Sequence, residues 1–351
     1  MNLSRRQFSK SIFAGTLATG LSSLSSLSGL SGLSGLFTQS VQAAPPPTNE
    51  TVRLVGIEHG PIVFNSGGHL NPHSHAIENY TKLPSSGTPV SARQGLTVQY
   101  LDTSQVNKKP TVTIINEQLL APSDRISGVT YLADGTLLVV INPDSGSAKG
   151  AEPSRLLLLN KKKGHDRWEI SGPVYVSNLS KDQGLDSLCL LRDGRLIGMV
   201  TKKDGSGPAQ VVEVDPVAGT VTNLVSLPTD RRFSALAEAP DGKLYTSVFR
   251  NNGTTELWTL DMSSGKAEFL KGLITRVGCT TDVFCLPAPV DTPWYHGLQS
   301  LIVTPAGQLL AHGNLEYFLP DSLYSIDVAK GVMTEIASYP VARTALSKQA
   351  V

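Results

Sequence analysis

Four gapless copies of one pattern, an Asp-Gly turn inside three of them and a second strand-turn element after every copy predict an all-β protein. The architecture they point to is a β-propeller of five or six four-stranded blades. The copies are ISGVTYLADGTLLVVIN (126–142), LDSLCLLRDGRLIGMVT (185–201), FSALAEAPDGKLYTSVF (233–249) and LQSLIVTPAGQLLAHGN (298–314). Each opens on an apolar residue followed by a polar one, and each has Gly at the tenth position and Leu two residues later.

The centre of each copy reads as a hairpin. Asp134-Gly135, Asp193-Gly194 and Asp241-Gly242 separate β-rich runs and suit two-residue type I′ turns, in which both residues take positive φ. Ala306-Gly307 in the fourth copy is a weaker match, because Ala resists that conformation. A strand ending in Asn or Asp follows each hairpin, at Asn160, Asp215, Asp261 and Asp327, and a glycine comes four residues later, at Gly164, Gly219, Gly265 and Gly331. An Asx side chain starts a turn by bonding its own backbone, and Gly supplies the left-handed position. A further strand-like run, such as TVTNLVSL (220–227) or KAEFLKGL (266–273), completes a four-stranded unit. A β-sandwich is the competing all-β reading, but a sandwich does not require one unit to resemble the next. Upstream, LTVQYLD (96–102) and TVTII (111–115) read as the outer strands of one more blade. Its inner strands come either from 51–65 or from the tail around 339–346, and a strand borrowed from the tail closes the ring.

The start of the chain reads differently. LSRRQFSK (3–10) precedes an uncharged stretch, 11–37, whose second half repeats Leu every third residue among Ser and Gly. Such a period presents no packed helical face, and Ser and Gly are poor helix formers. Val41-Gln42-Ala43, before Ala44 and Pro45-Pro46-Pro47, suits a signal peptidase. The expected organisation is a cleaved signal peptide over 1–43, a Pro-rich start over 44–50, one propeller domain over 51–346 and a tail over 347–351. Ser4, Arg5, Arg6, Phe8 and Lys10 resemble the twin-arginine export motif Ser-Arg-Arg-x-Phe-Leu-Lys, with Ser9 in the place of its leucine. The resemblance implies export to the periplasm or an equivalent compartment; an ordinary basic start of a general secretory signal is the alternative.

Cleavage removes three basic residues and no acid, leaving 27 basic against 29 acidic residues, net −2 in place of +1. A near-neutral chain has no electrostatic bias towards nucleic acid or anionic membrane. No later run reaches the length of a membrane-spanning helix. Cys279 and Cys285 sit close together in CTTDVFC and suit a small disulfide loop in an oxidising compartment, or less well half of a metal site. Cys189, in SLCLL, reads as a buried thiol.

Over about 110–336 the repeat, with its Asp-Gly-x-Leu hairpins, resembles the NHL-type and SMP-30/strictosidine-synthase-like propellers. The lactonases of that group carry a metal-binding Glu-Gly-Pro, which this chain lacks; Glu58-His59-Gly60-Pro61 only approaches it. The resemblance therefore implies the fold more than the chemistry.

With two-residue turns, Ser127 faces Asn142, Asp186 faces Thr201, Ser234 faces Phe249 and Gln299 faces Asn314, at the ends of the hairpins away from the turns. These positions ring one mouth of the central channel. Arg125, Gly184, Arg232 and Gly297 lie just upstream, with Asp124, Gln183, Arg231 and His296 one residue earlier. Arginine forks bind carboxylate or phosphate in bidentate fashion, so a small anionic ligand or an acidic protein partner suits Arg125, Ser127, Asn142, Asp186, Arg232, Ser234, His296, Gln299 and Asn314. The bland reading is a wet channel whose polar residues cap strands and whose arginines pair with aspartate. A metal-dependent lactonase or esterase would instead use Asp186, Asn142, Asn314, Gln299 and Glu316 around a divalent ion such as Ca²⁺. A third possibility is a structural scaffold in an envelope complex. His69, His73 and His75 are weaker metal candidates in a loop-like stretch, and the basic run 161–167 reads as solvated surface. No phosphate-binding loop or Gly-x-Ser-x-Gly elbow occurs.

Overall fold

In the repeat units alternate side chains leave opposite faces of each strand, and both faces are largely apolar, so each sheet must be covered on two sides. Stacking the sheets side by side around an axis satisfies this. The structure is a computed structural model that describes residues 50–59, 62–64, 80–82, 96–106, 111–115, 120–121, 124–143, 151–161, 168–203, 208–229, 231–249, 255–276, 297–314, 321–339 and 341–348.

Blade I contains β1 (Arg53–His59), β4 (Leu96–Asp102) and β5 (Thr111–Ile115), and between the first two comes a small hairpin of β2 (Ile62–Phe64) and β3 (Tyr80–Lys82). Blade II is β6 (Asp124–Tyr131), β7 (Leu137–Pro143), β8 (Arg155–Lys161) and β9 (Trp168–Tyr175). Blade III is β10 (Gln183–Leu190), β11 (Leu196–Lys202), β12 (Gln210–Asp215) and β13 (Thr220–Ser226). Blade IV is β14 (Arg232–Glu238), β15 (Leu244–Phe249), β16 (Thr255–Asp261) and β17 (Lys266–Arg276). Blade V is β18 (Gly297–Val303), β19 (Leu309–Asn314), β20 (Ser322–Asp327) and β21 (Val332–Ser338). The last strand, β22 (Arg343–Leu346), returns to blade I and pairs antiparallel with β1, from Leu54↔Leu346 to Ile57↔Arg343.

The propeller therefore has five blades, and the two sources left open for blade I are both used. The tail supplies the innermost strand and the start of the chain the second. The innermost strands β6, β10, β14, β18 and β22 touch in cyclic order, which closes the ring. Blades IV and V are further stitched by a short parallel pairing of Ile274–Arg276 with Val332–Thr334.

Five apolar clusters fill the five spaces between adjacent blades. β7 shows how: Leu137, Val139 and Ile141 pack towards blade I, while Leu138 and Val140 pack towards blade III. This accounts for a strand buried along its whole length. No helix among the described residues is long and apolar enough to cross a membrane.

The hairpin turns differ from the two-residue form expected. Leu132 N–H bonds Thr136 O at 2.8 Å and Gly135 N–H bonds Leu132 O at 3.1 Å, so the loop holds three residues. The same pair of bonds recurs at Leu191–Arg195, Ala239–Lys243 and Thr304–Gln308. This is a type I turn ending in a left-handed glycine, Gly135 having φ 91°. Only the glycine needs positive φ, so Ala306 is unstrained. Pro240 and Pro305 fall on the second turn position, where a fixed φ near −65° is favoured. The aspartate contributes an acceptor, with Thr136 N–H donating to Asp134 Oδ1 at 2.9 Å. The Asp-to-Gly turns of the outer strands are as read from the sequence at Asp215, Asp261 and Asp327, each accepting a bond from Gly219, Gly265 or Gly331. Gly164 lies outside the described residues.

The longer turn and a β-bulge in β6, β10, β14 and β18 shift the mouth register. Arg125, Gly184, Arg232 and Gly297 face Asn142, Thr201, Phe249 and Asn314, two residues earlier than the expected partners. The bulged residues are Ser127, Ser187, Ala235 and Gln299; Ser187 and Ala235 take φ of 50° and 58°.

Candidate functional site

Bulges re-aim side chains and backbone groups, and here they do so around the channel. A hydrogen bond joins each innermost strand to the next. Ser127 Oγ donates to Leu185 O at 2.8 Å, and Ala235 N–H donates to Ser187 Oγ at 3.0 Å. Ser234 Oγ donates to Leu298 O at 2.8 Å, and Thr344 N–H donates to Ser300 Oγ at 3.1 Å. Arg343 Nε donates to Ser127 O at 2.8 Å and completes the circle from blade I to blade II.

Arg343 is the centre of this waist. Its remaining bonds go to Gln299 Oε1 at 3.1 Å, Ala342 O at 2.9 Å and Asp186 Oδ1 at 3.1 Å. Arg343 is 5 % and Asp186 8 % exposed, so the ion pair is buried. Asp186 Oδ1 also accepts from Ser187 N–H at 2.8 Å. Both bonds fall on Oδ1, so one carboxylate oxygen holds a guanidinium and an amide proton.

The other ring residues divide into those bonded within the fold and those at the rim. Asn142 Nδ2 shares the Leu185 carbonyl with Ser127, at 2.9 Å, and Asn142 Oδ1 accepts from Ser154 Oγ at 2.6 Å. Ser234 and Ser247 hydroxyls lie 3.0 Å apart. Asp124 forms a buried ion pair with Arg155. Arg125, half-buried, donates to Lys203 O at 3.4 Å, and the Lys203 ammonium in turn donates to Lys181 O at 2.8 Å. Desolvation lowers the Lys203 pKa. The Arg231 guanidinium stacks over the Trp258 ring at 4.4 Å. Arg232, half-buried at the first position of β14, makes no side-chain hydrogen bond or ion pair among the described residues.

The backbone of Asn314 ends β19 opposite Gly297. The Asn314 side chain, His296, Glu316, the trio His69, His73 and His75, and the pair Cys279 and Cys285 lie outside the described residues. Cys189 is a free thiol, half-buried, and desolvation pushes its pKa up to about 12.

The residue that sequence reasoning passed over is Arg343. It stands in VARTAL (341–346), the stretch already recognised as a strand the tail might lend. Aligning that stretch with the four copies puts Arg343 level with Ser127, which is the signal that was available.

A hard divalent cation needs several oxygen ligands. Among the described ring residues Asp186 offers a carboxylate, and it is held by a guanidinium 3.1 Å away. No cluster of three or more His, Cys, Asp or Glu side chains able to hold a metal occurs among the described residues. Of the five residues named for a metal-dependent lactonase, Glu316 and the Asn314 side chain lie outside the described residues, and Asp186 is already paired with Arg343.

No protein-family model matches the chain. No curated protein matches it either. Similar solved structures include TolB from Acinetobacter baumannii, at 12 % identity and TM-score 0.41, covering 81 % of this chain and 52 % of that one. The chain thus spans about half the length of that structure. A protein of unknown function from Bacteroides caccae is similar at 13 % identity and TM-score 0.43, over 85 % of this chain and 100 % of that one. The periplasmic gluconolactonase PpgL of Pseudomonas aeruginosa is similar at 14 % identity and TM-score 0.39, over 82 % of this chain and 67 % of that one.

Proposed function

We propose that the protein is an exported propeller that binds a small anionic ligand at the channel mouth where the innermost strands begin. Arg125 and Arg232 supply the positive charge at the starts of β6 and β14, and the bonded side chains of Ser127, Asn142, Asp186, Ser234 and Gln299 form the floor behind them. The observation that carries the reading is Arg232: a guanidinium half-buried at the rim with no partner among the described residues. Partial burial raises the strength of a charge-assisted bond to a carboxylate or phosphate. Binding is favoured over hydrolysis because the Asp186 carboxylate is engaged by Arg343.

Calorimetric titration of residues 44–351 with inorganic phosphate and with citrate tests this. Saturable binding of one of them is expected, weakened at least about tenfold in Arg232→Ala, the loss of one charge-assisted bond. If neither anion binds, or if Arg125→Ala/Arg232→Ala binds as tightly as the parent, the reading is wrong. Export by the twin-arginine route belongs to the same proposal and rests on Arg5, Arg6, Phe8 and Lys10. Arg5→Lys/Arg6→Lys should leave the unprocessed chain in the cytoplasm; undiminished processing would contradict the route.

A further inference from the structure

On the far side of the waist the channel widens. A cavity of about 220 Å³ opens among the hairpin turns, at the opposite ends of the innermost strands from Arg125 and Arg232. All five blades contribute to its wall, through Val129, Leu190, Leu236, Leu301, Val303 and Leu346. At the waist a separate space lined by Ser187, Gln299 and Arg343 holds about 10 Å³, roughly room for one water. The funnel opens on the turn face.

Its rim is polar but balanced. Arg192 N–H donates to Glu238 Oε2 at 2.8 Å, and the Arg192 guanidinium bonds Pro240 O at 3.0 Å and lies 3.8 Å from the same carboxylate. One cation and one anion leave no net charge to hold an ion. The wall mixes aliphatic side chains with Thr130, Cys189 and Thr344, and a closed apolar cavity of about 150 Å³ is enough for benzene. The geometry points to a second ligand site, independent of the arginine mouth, for a compact neutral molecule with an aromatic body and one hydroxyl. The ring fills the funnel and the hydroxyl donates to Glu238 at the rim.

The probe is p-cresol, titrated against residues 44–351 by ligand-observed NMR. Saturable binding with Kd on the order of 1 mM is expected for a ligand of this size. Val303→Trp, at a half-buried wall position, should weaken it at least about tenfold, and benzoate, a charged ring of the same size, should not saturate in that range once the arginine mouth is removed in Arg125→Ala/Arg232→Ala. Arg125→Ala/Arg232→Ala should bind p-cresol like the parent, which separates this site from the anion mouth. A second readout needs no substitution: intermolecular NOEs from the p-cresol ring should reach the methyl groups of Leu190, Leu236 and Leu301. Failure to saturate, absence of these NOEs, or full affinity in a folded Val303→Trp protein would each overturn the assignment. If Val303→Trp does not fold, the NOEs decide.

Discussion

Replacing Arg343 by Met removes the group that ties blade I to blades II, III and V. Its guanidinium donates to Ser127 O, Gln299 Oε1, Ala342 O and Asp186 Oδ1, and three of these acceptors belong to other blades. Met matches the length of the aliphatic stem but leaves the Asp186 carboxylate buried with only the Ser187 N–H as partner. Breaking a buried ion pair from one side costs about 3–5 kcal/mol, chiefly through the stranded charge. For the roughly 210 described residues the unfolding entropy makes that about 7–11 °C in Tm. Urea denaturation with a double-mutant cycle measures it. Arg343→Met/Asp186→Asn should be less destabilised than the sum of the single variants, by at least about 1.5 kcal/mol, because the amide carries no charge to strand. A loss under about 1 kcal/mol in Arg343→Met, or additive single effects, would refute the waist as an energetic centre.

Deleting 342–351 removes β22 and exposes the edge of β1; loss of cooperative urea unfolding is expected, and retention of the parent midpoint would contradict closure by the tail. Gly219 and Gly265 occupy equivalent turns with φ of 67° and 68°, but a Cβ on Gly219 collides with the Tyr175 carbonyl, whereas on Gly265 it meets Val225 no closer than 3.8 Å. Gly265→Ala should therefore cost about 1–2 kcal/mol for the conformation alone. Gly219→Ala should cost about 1–3 kcal/mol more, and equal Tm losses would show that the clash is relieved elsewhere. The Asp261 carboxylate, which accepts from the Ser263 hydroxyl and amide, is lowered to a pKa of about 2. A depressed folded pKa gives stability that is present above the unfolded value near 3.9 and is lost as pH falls towards 2. The carbon-13 titration midpoint of this carboxyl should fall near 2, and a midpoint near 3.8 would remove the turn from the acid-sensitive set.

Sequence alone determined the blade. Strand, turn and strand lie within one copy of the repeat, so alternation of apolar residues and the Asp, Gly and Pro of the turns act over short distances and leave a local trace. It also marked the polar ring and the tail as a source of closure. Turn length was misread although Pro240 and Pro305 carried the signal. Register went with it, because one extra turn residue and one bulged residue slide every partner at the mouth. What only the tertiary structure decided is who meets whom across the axis. Arg343 and Asp186 are 157 positions apart, and Arg343 and Ser127 are 216 apart. No spacing rule links such residues; they meet because five sheets close into a ring and leave one narrow waist. That same closure puts Arg125 and Arg232 at one end of the innermost strands and a cavity at the other, a division that no single repeat contains.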